Sequence, residues 1–458
     1  MASYFSDTVL KLVLTSSLSA LTAGFHIGLF NPTQNNFASI LEWTSDNRAT
    51  YISLCNSFMP IGAAIGCVCS SKVSGPYGRR KTMLMAAYLT LAVYFIHALP
   101  FTATFAFARL MGGFVSGLAA NSATYNFEVS PIESSGTYGC FFQIMICTGI
   151  LIVYLLGVPL PLEDFSSSWN NWVYVILVVA AAFAVLQIYL LTFHYVHETP
   201  KWLVDHGHPE EAKTVLGMIF TTERVEREFD NLTPDNKEVE EDHSVSSQEF
   251  LLAKELREVS FTDLFRPPLL KPTLIGISLG VLGQGSGINV IIFCSTELLT
   301  LAGGASNVHW MTVMVGVANL VPTFFCPVLV EKFGRKTILV WGFVGMAICN
   351  IIVGFCSSVD ANPWVFVGFM LVFLVCFELS IGTVFWVYCS ETMIDKSLGI
   401  AAAINWVAGA VVVGTLLFLI SPDSLGISGT FYLYGGLCVF AWVFLVLFVP
   451  ESKRSSVN

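Results

Sequence analysis

The chain has 458 residues, 55% of them hydrophobic and only 12% charged, with a mean hydropathy of +0.70 and a formal charge of −10. This balance excludes an ordinary soluble protein, and no basic cluster offers a nucleic-acid surface. The negative charge points to no partner, because acidic residues contribute little to membrane orientation.

Met1 to Asp7 is short, with no basic region and no cleavage site. No signal peptide is therefore expected, and the first apolar run acts as the insertion signal. Apolar runs then follow at about 8–28, 51–71, 82–100, 104–127, 137–157, 172–194, 271–301, 308–330, 337–357, 363–389, 397–420 and 428–448. Each is near the ~20 residues that a helix needs to cross the hydrocarbon core. Lipid offers no partner to an unpaired backbone group, so the runs should be helices rather than open sheet. The chain thus reads as an all-α membrane protein of twelve transmembrane helices. Six-helix bundles are expected over 1–195 and 269–458, with a cytoplasmic loop of short helices over 196–268.

Within the insert, His208-Pro209-Glu210-Glu211 places proline and acids at a helix start, where the missing N–H and the helix dipole favour them. Ser246-Ser247-Gln248-Glu249 offers a capping box ahead of Phe250–Val259, and Asp235–Ser247 is polar, acidic and expected to be mobile. The sequon Asn231-Leu232-Thr233 falls in this insert and should stay unmodified. Nothing here is large enough for an enzyme domain. No nucleophile–base set, metal cluster or phosphate loop is visible either, so an enzyme is not expected, nor a cofactor or metal.

Lys and Arg set the orientation. With both termini cytoplasmic, the outer loops hold only Arg48, and Arg109 lies within the fourth run. The other twenty of the twenty-two basic residues then fall in or beside cytoplasmic loops, as the positive-inside rule requires. The plasma membrane is the expected location. All twelve cysteines fall in apolar runs and read as small buried residues, not disulfides or metal ligands.

The two halves repeat each other. Gly78-Arg79-Arg80-Lys81 and Gly334-Arg335-Lys336 start 256 residues apart, each between two apolar runs. Glu198, in His197-Glu198-Thr199-Pro200, and Glu451, in Val449-Pro450-Glu451-Ser452, lie 253 apart; Glu128 and Glu391 lie 263 apart. Three anchors with nearly one period indicate a duplicated membrane unit, the usual build of a transporter.

In order and on the right runs, these landmarks resemble the sugar porter family of the major facilitator superfamily across nearly the whole chain. Its loop signals resemble Gly78-Arg79-Arg80 and Glu331-Lys332-Phe333-Gly334-Arg335-Lys336. Tyr125-x-x-Glu128-Val129-Ser130-Pro131, His197-Glu198-Thr199-Pro200-Lys201-Trp202 and Pro450-Glu451-Ser452-Lys453 look like its other cytoplasmic signatures. Gln284-Gly285-Ser286-Gly287-Ile288-Asn289 is similar to its seventh-helix sugar motif. The resemblance implies a facilitative hexose carrier with a 6+6 pseudo-symmetric fold, working by alternating access and functional as a monomer.

A sugar stripped of water must recover its hydrogen bonds or lose roughly 1–3 kcal/mol per unsatisfied group. Neutral amides both donate and accept without the cost of a buried charge. Gln143, Gln284, Asn289, Asn319 and Asn405 all sit deep in apolar runs and match sugar-contacting positions of the family. A lone amide more often ties neighbouring helices together; five at matching positions favour a site. Gln284 and Asn289 are five apart, so Gly285-Ser286-Gly287 must break the helix if both are to face the pore. Trp386 and Trp406 would supply aromatic walls for the C–H face of a sugar ring. Glu378, Gly382 and Trp386 share one helical face. The resemblance also implies a cytoplasmic gate of Arg79, Arg80, Glu128, Glu198, Glu331, Arg335, Lys336, Glu391 and Glu451, bridging the halves when the outside is open.

Several positions depart from the family pattern. Gly283-Gln284 replaces a pair of glutamines, and Gly280-Val281-Leu282 lacks the Gln-Leu-Ser associated with glucose preference. The tenth run lacks its prolines, with Ile381, Thr383 and Phe385 there, and Gly382 is left as the hinge candidate. Ser135 and Leu398 replace basic residues expected after Glu128 and Glu391. His26 stands where proton-coupled relatives carry Asp and facilitative ones Asn. It reads as a pore residue, or alternatively as a titrating group of a proton symporter. With no carboxylate there, passive transport of glucose or fructose is the leading expectation. A polyol carrier and a non-transporting sensor are the alternatives, the sensor disfavoured by the short tail Glu451–Asn458.

Overall fold

The computed structural model describes residues 7–131, 134–161, 168–232, 260–292, 308–359, 362–421 and 423–452. Among these the chain is helical, with no strand. The first half holds six spans: Asp7–Gly28, Ser45–Tyr77, Arg79–His97, Thr102–Leu118 continued by Asn121–Val129, Ser135–Gly139 with Phe141–Gly157, and Trp172–Phe193. The second half repeats them. Span seven is Leu270–Gly285, span eight runs through Val308–Leu320 and Cys326–Phe333, and span nine is Arg335–Ser358. Span ten joins Pro363–Phe377 to Thr383–Thr392, and Asp395–Ile420 and Gly426–Phe448 complete the set.

Nine of these are long and apolar enough to cross a membrane among the described residues, and ten with span eight, which bends by 42° before Cys326. The other two are span three, which opens on Arg79-Arg80-Lys81, and span seven, which reaches 16 residues before it breaks. The outer surface is apolar where lipid should lie: Phe95, Phe193, Trp341 and Phe418 are each at least 70% exposed. Such a surface would be costly in water and is at home in a bilayer.

Hydrophobicity cannot hold helices together in lipid, so close packing must. A Cβ at Gly113 of span four would lie 1.9 Å from the Met59 carbonyl oxygen of span two, and one at Gly24 of span one 2.1 Å from the Ile146 oxygen of span five. These glycines let the backbones touch. Between the halves, span eleven packs along span two and span eight against span five.

The expected insert is helical over Pro200–Asp205, Pro209–Ile219 and Thr222–Leu232. Pro209 opens its helix with Glu210 and Glu211 in the first turn, as the sequence predicts. Leu203, Val215, Leu216 and Phe229 bury themselves against Val9, Met83, Tyr125 and Leu191, so the insert is packed onto the first half. The capping box at Ser246–Glu249 and the segment Asp235–Ser247 lie outside the described residues. The eleven described cysteines are free.

Candidate functional site

The duplicated signals become a duplicated knot of hydrogen bonds at one end of the bundle. Gly78 (φ +93°) and Gly334 (φ +82°) take up left-handed conformations that L side chains avoid, each ending one helix and starting the next. The exposed N–H groups of Arg80 and Lys81 donate to Glu198 at 2.9 and 3.1 Å, and those of Arg335 and Lys336 to Glu451 at 2.7 and 3.0 Å. A carboxylate at a helix N-terminus satisfies orphan amides and the dipole together. Burial pushes the Glu198 carboxyl above the usual carboxylate range, against the pull of those two amides.

The arginines repeat as closely. Arg79 is bidentate to Glu128 (3.1 and 2.9 Å) and donates Nη1 to the Ser74 carbonyl; Arg335 is bidentate to Glu391 and donates Nη1 to the Val330 carbonyl. Thr199 Oγ1 donates to Glu128 and Ser452 Oγ to Glu391. Arg80 donates to the Leu191 and Tyr195 carbonyls and Lys336 to that of Val446, capping the last turns of spans six and twelve.

The expected gate is drawn from these groups. Its residues pair first within their own halves, because each cluster is built from the helix ends that one repeat brings together. Glu331 lies 3.9 Å from Arg335, also within its half. A link between halves comes from a residue that sequence reasoning missed: Asp395, opening span eleven, accepts from Arg79 Nη2 at 2.7 Å.

Midway along the bundle, between the halves, lies a cavity of about 90 Å³. All eight expected substrate residues line it: Gln143, Gln284, Asn289, Asn319, Glu378, Trp386, Asn405 and Trp406. Span seven breaks as the glycines predict, with Gly287 at φ +91°, and the break swings Asn289 back so that its Nδ2 donates to Gln284 Oε1 at 2.7 Å. Gln284 Nε2 donates onward to Asn405 Oδ1 at 2.9 Å. The three amides form a chain from span seven to span eleven. Across the cavity, Gln143 Nε2 donates to both Glu378 oxygens, at 3.1 and 3.3 Å, joining spans five and ten. Among the described residues, Asn319 Oδ1 has no hydrogen-bond partner. Trp386 packs edge-on to Phe142, 4.7 Å between centroids, which holds the indole upright in the wall.

Of three expectations here, two need correction and one, the glycine at position 283, finds a physical reason. Span ten does not bend at Gly382, whose backbone is helical; the distortion is at Ser380 (φ −125°, ψ −107°), in a widened turn over Glu378–Gly382. The extra residue of that turn breaks the regular i, i+4, i+8 face, yet Glu378, Gly382 and Trp386 all still reach the cavity. Gly382 matters for what it lacks: a Cβ there would sit 2.8 Å from Glu378 Oε2. Second, the space a side chain would need at Gly283 is held by Ile381, whose Cγ1 would lie 3.0 Å from a Cβ at that position. Two departures from the family pattern thus fit each other.

The third concerns His26, which does not line the cavity. Its ring is fully buried within the first bundle, stacked on Tyr94 at 4.6 Å and 6.2 Å from His97, with neither ring nitrogen hydrogen-bonded among the described residues. Gly112 leaves the room it occupies. Its carbonyl oxygen accepts from Nη1 of Arg109 at 2.7 Å, and that buried guanidinium also packs on the Phe30 ring, 5.3 Å from its centroid.

The sequence profile of the family described as "Sugar (and other) transporter" matches residues 12–458. Hexose transporter 1 of Plasmodium vivax (strain Brazil I) is 26% identical over 488 residues, covering 99% of this chain and 92% of that protein. The galactose-proton symporter of Escherichia coli (strain K12) is 28% identical over 456 residues, covering 97% and 91%. The fold matches the major facilitator superfamily proton:xylose symporter XylE, solved with 6-bromo-6-deoxy-D-glucose, at a TM-score of 0.82 and 23% identity over 98% of each chain. A duplicated helical fold, a central cavity lined by amides and indoles, and a profile match over nearly the whole length converge: the chain belongs to the sugar (and other) transporter family and is a transporter, not an enzyme.

Proposed function

We propose that this chain carries a hexose, glucose or fructose, down its gradient by alternating access of the two halves around the central cavity. The observation that carries the reading is the amide chain Asn289–Gln284–Asn405, set opposite Gln143 and beside Trp386 and Trp406 in one cavity between the halves. Amides give and take hydrogen bonds as hydroxyls do, and indoles cover the apolar face of the ring. The relatives that transport hexose and galactose support the substrate class. Both termini are assigned to the cytoplasm on the distribution of Lys and Arg, and the plasma membrane is the proposed location. The monomer is taken as the working unit, since the cavity is complete within one chain.

Passive transport is favoured because the group at position 26 is a histidine stacked among aromatic rings, with no hydrogen bond to a carboxylate among the described residues. The rival, proton-coupled transport, keeps one supporting observation: His26, His97 and Arg109 share one buried cluster, and one relative is a proton symporter. Reconstitution in liposomes decides between them. Labelled glucose and fructose counterflow is expected with or without a pH gradient. No hexose flux would overturn the reading, and uphill accumulation driven by protons would replace uniport with symport.

A further inference from the structure

We propose that the first bundle holds a small monovalent anion, chloride in physiological solution, against the buried guanidinium of Arg109. This residue sits on span four and is 1% exposed. Its Nε and Nη1 donate to the backbone carbonyls of Cys55 and His26 at 3.2 and 2.7 Å, and Nη2 has no partner among the described residues. Arginine keeps its proton in proteins, so a full positive charge lies inside the bundle. Arg79 and Arg335, the other buried arginines among the described residues, show what such a charge needs: each holds a carboxylate bidentately. Arg109 has no acidic partner among the described residues. Two carbonyls and the Phe30 ring stabilise it in part but bring no negative charge to balance it.

The groups around it are orphaned as well. Neither ring nitrogen of His26, nor the Tyr94 hydroxyl, nor His97 Nε2 has a partner among the described residues, and all three side chains are buried. Tyr94 lies 6.5 Å from His97, centre to centre, and both rings neighbour that of His26. Buried polar groups are almost always satisfied, so a cluster of this size points to a bound species rather than to dry packing.

The donors and the charge select that species. Arg109 Nη2 and the Tyr94 hydroxyl are the donors for the anion. His97 Nδ1 donates to the Val93 carbonyl at 3.2 Å, which leaves Nε2 an acceptor; it and the His26 ring take water that enters with the anion. Water alone would serve the donors and leave the charge uncompensated. Sulfate or phosphate would bring further charge and more oxygens than two donors can satisfy, whereas a halide balances one guanidinium. The path from water is short. His97 closes span three at the end away from the Gly-Arg signals, and Phe101, in the turn that follows, is 62% exposed. None of His26, Tyr94, His97 and Arg109 lines the central cavity, so the anion site is separate from it.

Thermal unfolding of the purified chain tests the site without any sugar flux, so its failure and failure of the transport reading are told apart. The protein is dialysed into gluconate, too bulky for the cluster, and chloride is restored at constant ionic strength. At about 0.15 M chloride the midpoint should rise by about 2–4 °C, with a one-site dependence on concentration. Bromide should replace chloride, and sulfate should not. Arg109→Gln removes the charge, and His26→Asp puts a carboxylate beside it from a residue whose carbonyl already touches Arg109. Each should reduce the chloride shift to under about 1 °C. A parental shift in either folded variant would overturn the site. So would sulfate acting as well as chloride, or no chloride response in the parent. If neither variant folds, Tyr94→Phe decides: it keeps the ring and loses one donor, so half-saturation should need roughly fivefold more chloride. A parental value there would overturn the site.

Discussion

Gln284→Ala tests the cavity most directly, because one side chain holds two neighbours. Its Oε1 accepts from Asn289 at 2.7 Å and its Nε2 donates to Asn405 at 2.9 Å. Each neutral hydrogen bond contributes about 1 kcal/mol net, and an abandoned buried partner costs about 1–3 kcal/mol. Asn289 and Asn405 face the cavity rather than closed core, so water or substrate can replace part of the loss. The substrate should therefore bind more weakly by about 1–2 kcal/mol, a rise in KM of roughly 5- to 30-fold. The assay is hexose counterflow in proteoliposomes over a concentration series, with folding checked by size exclusion. Gln284→Glu should be at least as weak, since it sets a carboxylate oxygen against Asn405 Oδ1 where a donor stood. A KM within about twofold of the parent in a folded Gln284→Ala protein would refute the reasoning, as it would make the amide chain structural only.

Other variants probe separate parts of the molecule. Gln143→Ala removes the donor to Glu378 and one wall of the cavity; it should raise KM roughly fivefold, at about 1 kcal/mol for the bond, and unaltered counterflow would remove Gln143 from the site. Gly113→Ala should destabilise by about 1–3 kcal/mol because its Cβ meets a backbone oxygen of span two. Gly368→Ala, with nothing within 4 Å, should be neutral or stabilising in the same thermal unfolding scan, and equal effects would contradict the packing account. Glu198 has its carboxyl raised in the folded state, so its titration contributes stability below the unfolded carboxylate range that is lost as pH rises through the raised value. The advantage of Glu198→Gln over the parent in unfolding midpoint should accordingly grow from about pH 4 to about pH 7; parallel curves would dispose of this. His26→Phe keeps the stacked ring and loses no hydrogen bond, so folding and uptake should persist, with no response to a pH gradient in parent or variant.

What the sequence determined by itself is local or periodic. The length and apolarity of the runs demand helices in lipid, because every backbone group must be satisfied within its own segment. Gly78 and Gly334, with carboxylates 120 and 117 residues further on at Glu198 and Glu451, already spell two copies of one helix junction. The break at Gly285-Ser286-Gly287 was legible too, since a backbone conformation that favours glycine leaves its mark in composition. The amides drew notice because polar groups are costly in hydrocarbon and are kept where they have work, and it was the resemblance to family positions that singled out both them and the indoles.

Only the tertiary structure decided which groups meet. Arg79 and Asp395 are 316 residues apart, and nothing in the short acidic segment before span eleven marks it as the partner of a loop in the other half. The residues named from the loops pair first with helix ends of their own half, where a preorganised amide pair or a bidentate carboxylate is near, and Arg79 also reaches Asp395 of the other half. His26 left the pore for a stack with Tyr94, the bend of span ten moved to Ser380, and Ile381 filled the space beside Gly283. Each of these outcomes depends on distances across the bundle, which side-chain volume and helix crossing set, and which a linear pattern does not contain.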